Sequence, residues 1–225
     1  MILLRICVIY KGELHKRQGF KTSYLGSFRG AEIYKTELSE KISRRRLSKC
    51  LAELRGLGIS LIASGGDVVP SHLLLRFKIT HIPPSRAKFS RIAEMALLFA
   101  ERVNAPLSFF IRGGSFFRVS EIALELLSST SEVAVSCVDF ESVAEACLLS
   151  SGAVIRSRPK GAYVEISPAE PDAVLKYKDT VCGFSDFSLS LPRDFPFSLP
   201  GHDALVGALE LSGVLGHNDT KLRIL

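Results

Sequence analysis

The 225-residue sequence contains no uninterrupted apolar run near the roughly 20 residues that a membrane-spanning helix requires. Its apolar start, MILLRICVIYKGE, carries Arg5 where a signal peptide needs an unbroken stretch, so the expectation is a cytoplasmic chain with no membrane association. No two cysteines form a C-x-x-C pair. The five, at 7, 50, 137, 147 and 182, are odd in number and scattered, which fits reduced thiols rather than a disulfide framework or a zinc site. The histidines, at 15, 72, 81, 202 and 217, lack metal-ligand spacing with one another or with Cys and carboxylates, and no metal is expected. Neither G-x-S-x-G nor H-E-x-x-H occurs. The pair His202-Asp203 reads as a helix start with a capping aspartate rather than a catalytic couple. Internal repeats and low-complexity segments are also missing. Nothing in the sequence marks a catalytic constellation, and whether the chain is an enzyme stays open.

What is present is a globular composition, 47% apolar and 23% charged, in a chain long enough for one large domain or two small ones. The net charge of +6 is unevenly spread. Residues 1–60 hold 13 basic against 5 acidic side chains and 61–120 hold 8 against 3, while 121–225 are acidic on balance. Such asymmetry suits a polyanionic partner for the front half, or two segments of opposite sign. The densest cluster is Lys41, Arg44, Arg45, Arg46 and Lys49, at the start of a helix expected over about 40–56. Its apolar residues Leu47, Cys50, Leu51 and Leu54 recur at i, i+3, i+4 and i+7, so the cations fall off the buried stripe. They form either a solvated face or a phosphate or nucleic-acid contact. The absence of interleaved aromatics weighs against the second.

Strands are expected at 2–10 and 31–37, joined by a long loop or irregular hairpin. That connection holds Gly12, Gly19, Lys21 and Thr22, but the spacing and the lack of a following helix exclude a P-loop. A strand at 59–63 leads into Gly65-Gly66-Asp67; a short helix with Pro70 near its start and a KITHIPPS linker follow. A helix is expected over 86–103. LSFFIR (107–112) reads as a strand covered on both faces. Val119, Ile122, Ala123, Leu126 and Leu127 then form a helical stripe. EVAVSCV (132–138) gives a second strand, Phe140, Val143, Ala144, Cys147 and Leu148 a second stripe, and AVIRS, after Gly152, a third strand. Right-handed crossovers would place these three strands parallel in one sheet. GAYVEIS (161–167) alternates like an edge or antiparallel strand. After an irregular stretch at 181–200 come a helix from Gly201 and a last short strand at KLRIL.

Between the first strand and the first stripe lies Gly113-Gly114-Ser115, with Arg118 one turn on and Asp139 ending the second strand, 26 residues after Gly113. Over residues 107–157 this arrangement resembles the NAD(P)-binding Rossmann superfamily at the level of fold. In that superfamily G-x-G-x-x-G follows the first strand and an acid about 20 residues on holds the ribose. Gly113 matches the first glycine; Ser115 and Arg118 stand where the second and third would be. The resemblance implies NAD(P) as cofactor and Gly113, Gly114, Ser115, Arg118 and Asp139 as its site. Arg118 offers a guanidinium to a phosphate in place of the lost glycine. Phe116 and Phe117 would fill ligand volume unless they turn into the core. Asp139 has two readings, ribose binding and N-capping of the next helix. Arg112 is either an anion contact or a solvated strand end. If 59–63 belongs to the same sheet, its glycine turn would share one edge with Gly113-Gly114.

The expected architecture is therefore α/β: a Rossmann-like parallel sheet with helices on both faces at 105–160, preceded by an α/β segment (1–104) with the basic helix and followed by a tail (161–225) that packs back. The function this supports is binding of a nucleotide or other phosphorylated small molecule, as in a reductase using NAD(P). The alternatives are a non-catalytic scaffold acting through protein partners or its own copies, and a nucleic-acid-associated protein using the basic front half.

Overall fold

The computed structural model describes residues 4–14, 19–65, 68–169, 172–200 and 202–225. The chain forms two compact units, Met1–Lys88 with Leu189–Lys221 and Phe89–Ser188 with Leu222–Leu225. The fold is mixed α/β, with largely parallel sheets flanked by helices.

In the first unit the chain runs β1 (Leu4–Gly12), β2 (Phe20–Phe28), β3 (Ala31–Ser39), α1 (Arg44–Gly56), β4 (Leu61–Ser64), α2 (Ser71–Phe77), β5 (Thr80–Ile82) and α3 (Pro84–Phe89). The sheet order is β2-β3-β1-β4-β5. β3 and β4 lie parallel to β1 on either side, β5 parallel to β4, and β2 antiparallel to β3. The polar connection after β1 is thus partly an irregular hairpin whose register slips between Tyr24 and Gly26. Lys21 and Thr22 lie inside β2, and residues 15–18 are outside the described set. β1 is apolar and buried over residues 6–9 because both of its faces are covered there. Ile6 and Val8 join one buried cluster, Cys7 and Ile9 the other, as the period of two in a strand requires.

The second cluster receives α1, whose Leu47, Cys50, Leu51 and Leu54 are all buried at the spacing read from the sequence. Ser43 opens the helix by accepting the Arg46 amide at 3.4 Å, and Lys41, Arg44, Arg45, Arg46 and Lys49 are exposed. Burial pushes the Cys7 and Cys50 thiols up to about 12, as expected of small core residues. Two expectations fail here. KITHIPPS is not a plain linker, since Thr80–Ile82 pairs with β4 as β5. The helix expected over 86–103 is broken: α3 ends at Phe89 and α4 (Ile92–Arg102) starts afresh after Arg91, a residue that is itself buried.

The second unit continues from α4 through β6 (Ser108–Arg112), α5 (Phe116–Leu127), β7 (Glu132–Ser136), α6 (Phe140–Ser151), β8 (Val164–Ala169), β9 (Asp172–Tyr177) and β10 (Thr180–Cys182). Its sheet order is β10-β9-β8-β6-β7, with β7 and β8 both parallel to β6. The apolar stripe of α5 is buried as read, at Val119, Ile122, Ala123 and Leu126; α6 buries only Val143 and Cys147. Cys137 lies one residue past β7, half-buried, rather than within the strand.

AVIRS is reduced to a single parallel bridge, Arg156 beside Ala134 on the outer side of β7, because the basic, proline-bearing run RPK (158–160) follows it at once. GAYVEIS supplies the missing interior strand instead. As β8 it is an interior strand and not an edge, parallel to β6 on one side and antiparallel to β9 on the other, with Val164 and Ile166 buried. Alternation in its sequence reflects one face more deeply covered than the other. The chain then closes with β11 (Phe187–Ser190), α7 (His202–Leu211) and β12 (Lys221–Ile224). β11 and β12 form a two-stranded sheet, and α7 places Ala204, Leu205, Ala208 and Leu209 in the first unit's core. Among the described residues, no helix is long and apolar enough to cross a membrane.

Candidate functional site

In the second unit β6 is followed through α5 by β7 on one side, with Arg156 marking a rudimentary strand beyond it, and the chain then returns to lay β8 on the other side of β6. The order Arg156 bridge, β7, β6, β8 is that of strands 3-2-1-4 in a doubly wound sheet. Open α/β sheets bind ligands where the order reverses, beyond the carboxyl ends of the strands. That point lies between β6 and β8, and a cavity of about 480 Å³ occupies it.

Its walls come from three segments: Arg112, Gly113 and Gly114 at the end of β6, Ser115 and Arg118 at the start of α5, and Ser167–Ala169 at the end of β8. Phe89 completes the lining. Gly113 and Gly114 have φ of +76° and +96°, a region that favours glycine. The Gly113 amide donates to the Ser136 carbonyl at 2.8 Å, so it is engaged in the turn. A Cβ on Gly114 would stand 3.0 Å from both Pro168 Cγ and Val119 Cγ2. Gly114 thus does the close-packing work that the third glycine does in the fingerprint, which frees position 118 for a long side chain.

Ser115 is the N-cap residue of α5, yet among the described residues its side chain makes no capping bond. The first-turn amides of this 12-residue helix therefore keep their hydrogen-bonding capacity, and the helix dipole favours an anion there. Arg118 is held in place: its Nη1 donates to the Phe89 carbonyl at 3.3 Å and to Glu121 Oε2 at 2.8 Å, and its guanidinium lies 5.1 Å from the Phe89 ring centroid. Arg112 is looser, 3.6 Å from Glu165 Oε1 and largely exposed. Phe116 and Phe117 do not fill the crevice. Neither lines it; they pack on each other with centroids 5.2 Å apart, and Phe117 is 81% exposed.

Gly113, Gly114, Ser115 and Arg118 are therefore brought together, and Asp139 is not among them. It occupies the N-cap position of α6, past the end of β7 and outside the crevice lining, and its exposed carboxylate makes no capping bond among the described residues. The capping reading of Asp139 holds for its backbone position only. Asp203 likewise is engaged elsewhere, accepting from Lys88 Nζ at 2.6 Å and from the Leu189 amide at 2.8 Å. The turn Gly65-Gly66-Asp67 follows β4, a strand of the other sheet, so it shares no sheet edge with Gly113-Gly114; Gly66 and Asp67 lie outside the described residues. Phe89 and Ser167–Ala169 carry no sequence signal for the site, since Phe89 falls inside an expected helix, Ser167 ends an expected edge or antiparallel strand, and no element is expected at 168–169.

No family model matches the chain, and no curated protein matches it. Among solved structures, the chain has a likeness to quinate dehydrogenase from Corynebacterium glutamicum in complex with NAD, at 13% identity and a TM-score of 0.26. The match covers 72% of this chain and 64% of that one, so the chain spans under two thirds of its length. A likeness this slight carries no weight for function.

Proposed function

We propose that the second unit binds a phosphorylated small molecule in the crevice between the ends of β6 and β8, and that the ligand is a nucleotide of the NAD(P) class. The observation that carries this reading is a coincidence of place: the strand-order reversal, a 480 Å³ cavity, the Gly113-Gly114 turn, the start of α5 and Arg118 all fall together. The α5 amides and Ser115 Oγ take phosphate oxygens, and Arg118 supplies a fixed positive charge. Gly113 and Gly114 keep the backbone free of side chains where the ligand approaches. Asp139, one strand over, takes ribose hydroxyls of a ligand long enough to reach it. A reductase role would place the reacting group on the β8 side of the crevice.

The test is a thermal-shift titration with NAD⁺, NADPH, ATP and FAD on the full chain, repeated on Arg118→Ala and Asp139→Ala. At 100 times Kd a ligand adds about 2.7 kcal/mol, several degrees in a chain of this length. A ligand-specific rise abolished by Arg118→Ala supports the crevice. Loss in Asp139→Ala for dinucleotides alone supports the ribose contact. No shift from any ligand, in a protein that melts cooperatively, would sink the reading in favour of a scaffold acting through partners. A second reading, nucleic-acid contact, rests on the five exposed cations from Lys41 to Lys49; salt-sensitive RNA retention lost on their replacement would support it.

A further inference from the structure

The opposite, amino-terminal edge of the second unit's sheet has a cavity of its own, about 250 Å³, which the reading above does not use. Its floor is Ser108, the first residue of β6, and Glu132, the first of β7; its wall is the segment that carries Arg156, Arg158 and Lys160. That segment is anchored. The Val135 amide donates to the Arg156 carbonyl at 2.8 Å and the Arg156 amide to the Val133 carbonyl at 3.4 Å, which fixes the base of the first arginine beside β7. The floor is anchored too: Thr130 Oγ1 donates to the Leu107 carbonyl and accepts the Glu132 amide at 3.2 Å.

Three cations thus converge on one concavity within five residues of chain, and among the described residues none of them has an ion-pair partner. The lining holds a single carboxylate, Glu132, so the cavity is positive on balance. Ser108, only 4% exposed, lines the same cavity, and its hydroxyl makes no hydrogen bond among the described residues. A hydroxyl without a partner in the wall of a cavity that two arginines also line has bonding capacity to offer a ligand. The lining has no aromatic ring, which a single-stranded nucleic acid would use for stacking, and it is a concavity rather than a stripe along a face.

We propose that this cavity is a second anion site, for a compact phosphate-bearing small molecule. Arg156 and Arg158 pair with its phosphate oxygens, Lys160 adds a point charge, Ser108 donates its hydroxyl, and Glu132 accepts from a hydroxyl or amine next to the phosphates. The site stands at the other edge of the sheet from the crevice and is independent of it.

The test is isothermal titration of pyrophosphate into the full chain, comparing wild type with Arg156→Gln/Arg158→Gln and with Arg112→Gln/Arg118→Gln. The expected result is a binding component weakened at least about tenfold by the first pair and unmoved by the second. Amide shifts at Ser108, Ser131 and Glu132 in ¹⁵N spectra should accompany it. Absence of binding at millimolar pyrophosphate, binding unchanged in the first pair, or binding lost only in the second would each overturn the proposal. Tighter, steeply salt-dependent binding of an eight-nucleotide RNA would overturn it in favour of nucleic acid. All three cations are exposed, so the variants should melt as wild type does; should the first pair fail to fold, Arg158→Gln/Lys160→Gln answers the same question.

Discussion

Replacing Gly113 and Gly114 by alanine, one at a time, separates what each glycine does. Both have positive φ, +76° and +96°, and an L residue forced there costs roughly 1–2 kcal/mol. At Gly113 that is the whole penalty, because a Cβ would meet no described atom within 4 Å. At Gly114 the Cβ also comes to 3.0 Å from Pro168 Cγ and from Val119 Cγ2. Pro168 is a ring on β8 and Val119 a fully buried β-branched residue on α5, so neither moves aside easily, and overpacking adds about 1–3 kcal/mol. The expected losses are therefore about 1–2 kcal/mol for Gly113→Ala and about 2–5 kcal/mol for Gly114→Ala. Because two units need not unfold together, the assay is native-state hydrogen exchange read at α5 and β8 amides, beside guanidinium unfolding. If Gly114→Ala cost no more than Gly113→Ala, the assignment of Gly114 to helix–strand close packing would be refuted.

Arg118→Ala should weaken any phosphorylated ligand of the crevice by about tenfold or more while costing only about 1 kcal/mol of stability through the lost bond to the Phe89 carbonyl; titration and melting, run side by side, check the separation. Leu54→Ala, which empties a fully buried position under α1, should cost about 2–5 kcal/mol in denaturant unfolding, with a value under about 1 kcal/mol contradicting its place in the core. Cys7 and Cys50, with thiols raised to about 12 by burial, should resist alkylation in the native protein while the half-buried Cys182 reacts, as mass-mapped labelling would show. The Gly216 amide and the Arg29 guanidinium hold the Asp219 carboxyl below the usual aspartate range. A depressed folded-state carboxyl contributes stability above its unfolded pKa and loses it as pH falls through the folded value, so Asp219→Asn should flatten the acid limb of the melting curve below about pH 4. An unchanged acid limb would contradict that pairing.

How far the sequence could be read depended on whether its pattern had one structural cause. Helix α1 was legible residue by residue, since a stripe at i, i+3, i+4 and i+7 under a row of cations has only one way to pack. The β6–α5–β7 core was legible for the same reason, and with it the Gly113-Gly114 turn. AVIRS and the edge placement of GAYVEIS misled because short apolar runs carry no record of their neighbours: five residues sufficed for only one bridge, and an alternating strand lies inside the sheet, antiparallel to β9 but parallel to β6. The crevice was half legible. Its glycine side follows from local turn chemistry, whereas Ser167–Ala169 enter it only through the pairing of β8 with β6, a long-range fact. Phe89 was hidden by reading one helix over 86–103 where the chain breaks at Ser90 and Arg91.

Hydrogen exchange of the full chain with and without saturating NAD⁺ or NADPH addresses the crevice most directly. Binding there should slow exchange at the amides of residues 114–118 and of Ser167 and Ala169, and Arg118→Ala should remove that protection. Protection confined to other segments, or none with either ligand at millimolar concentration, would contradict the assignment of a nucleotide site to the crevice between β6 and β8.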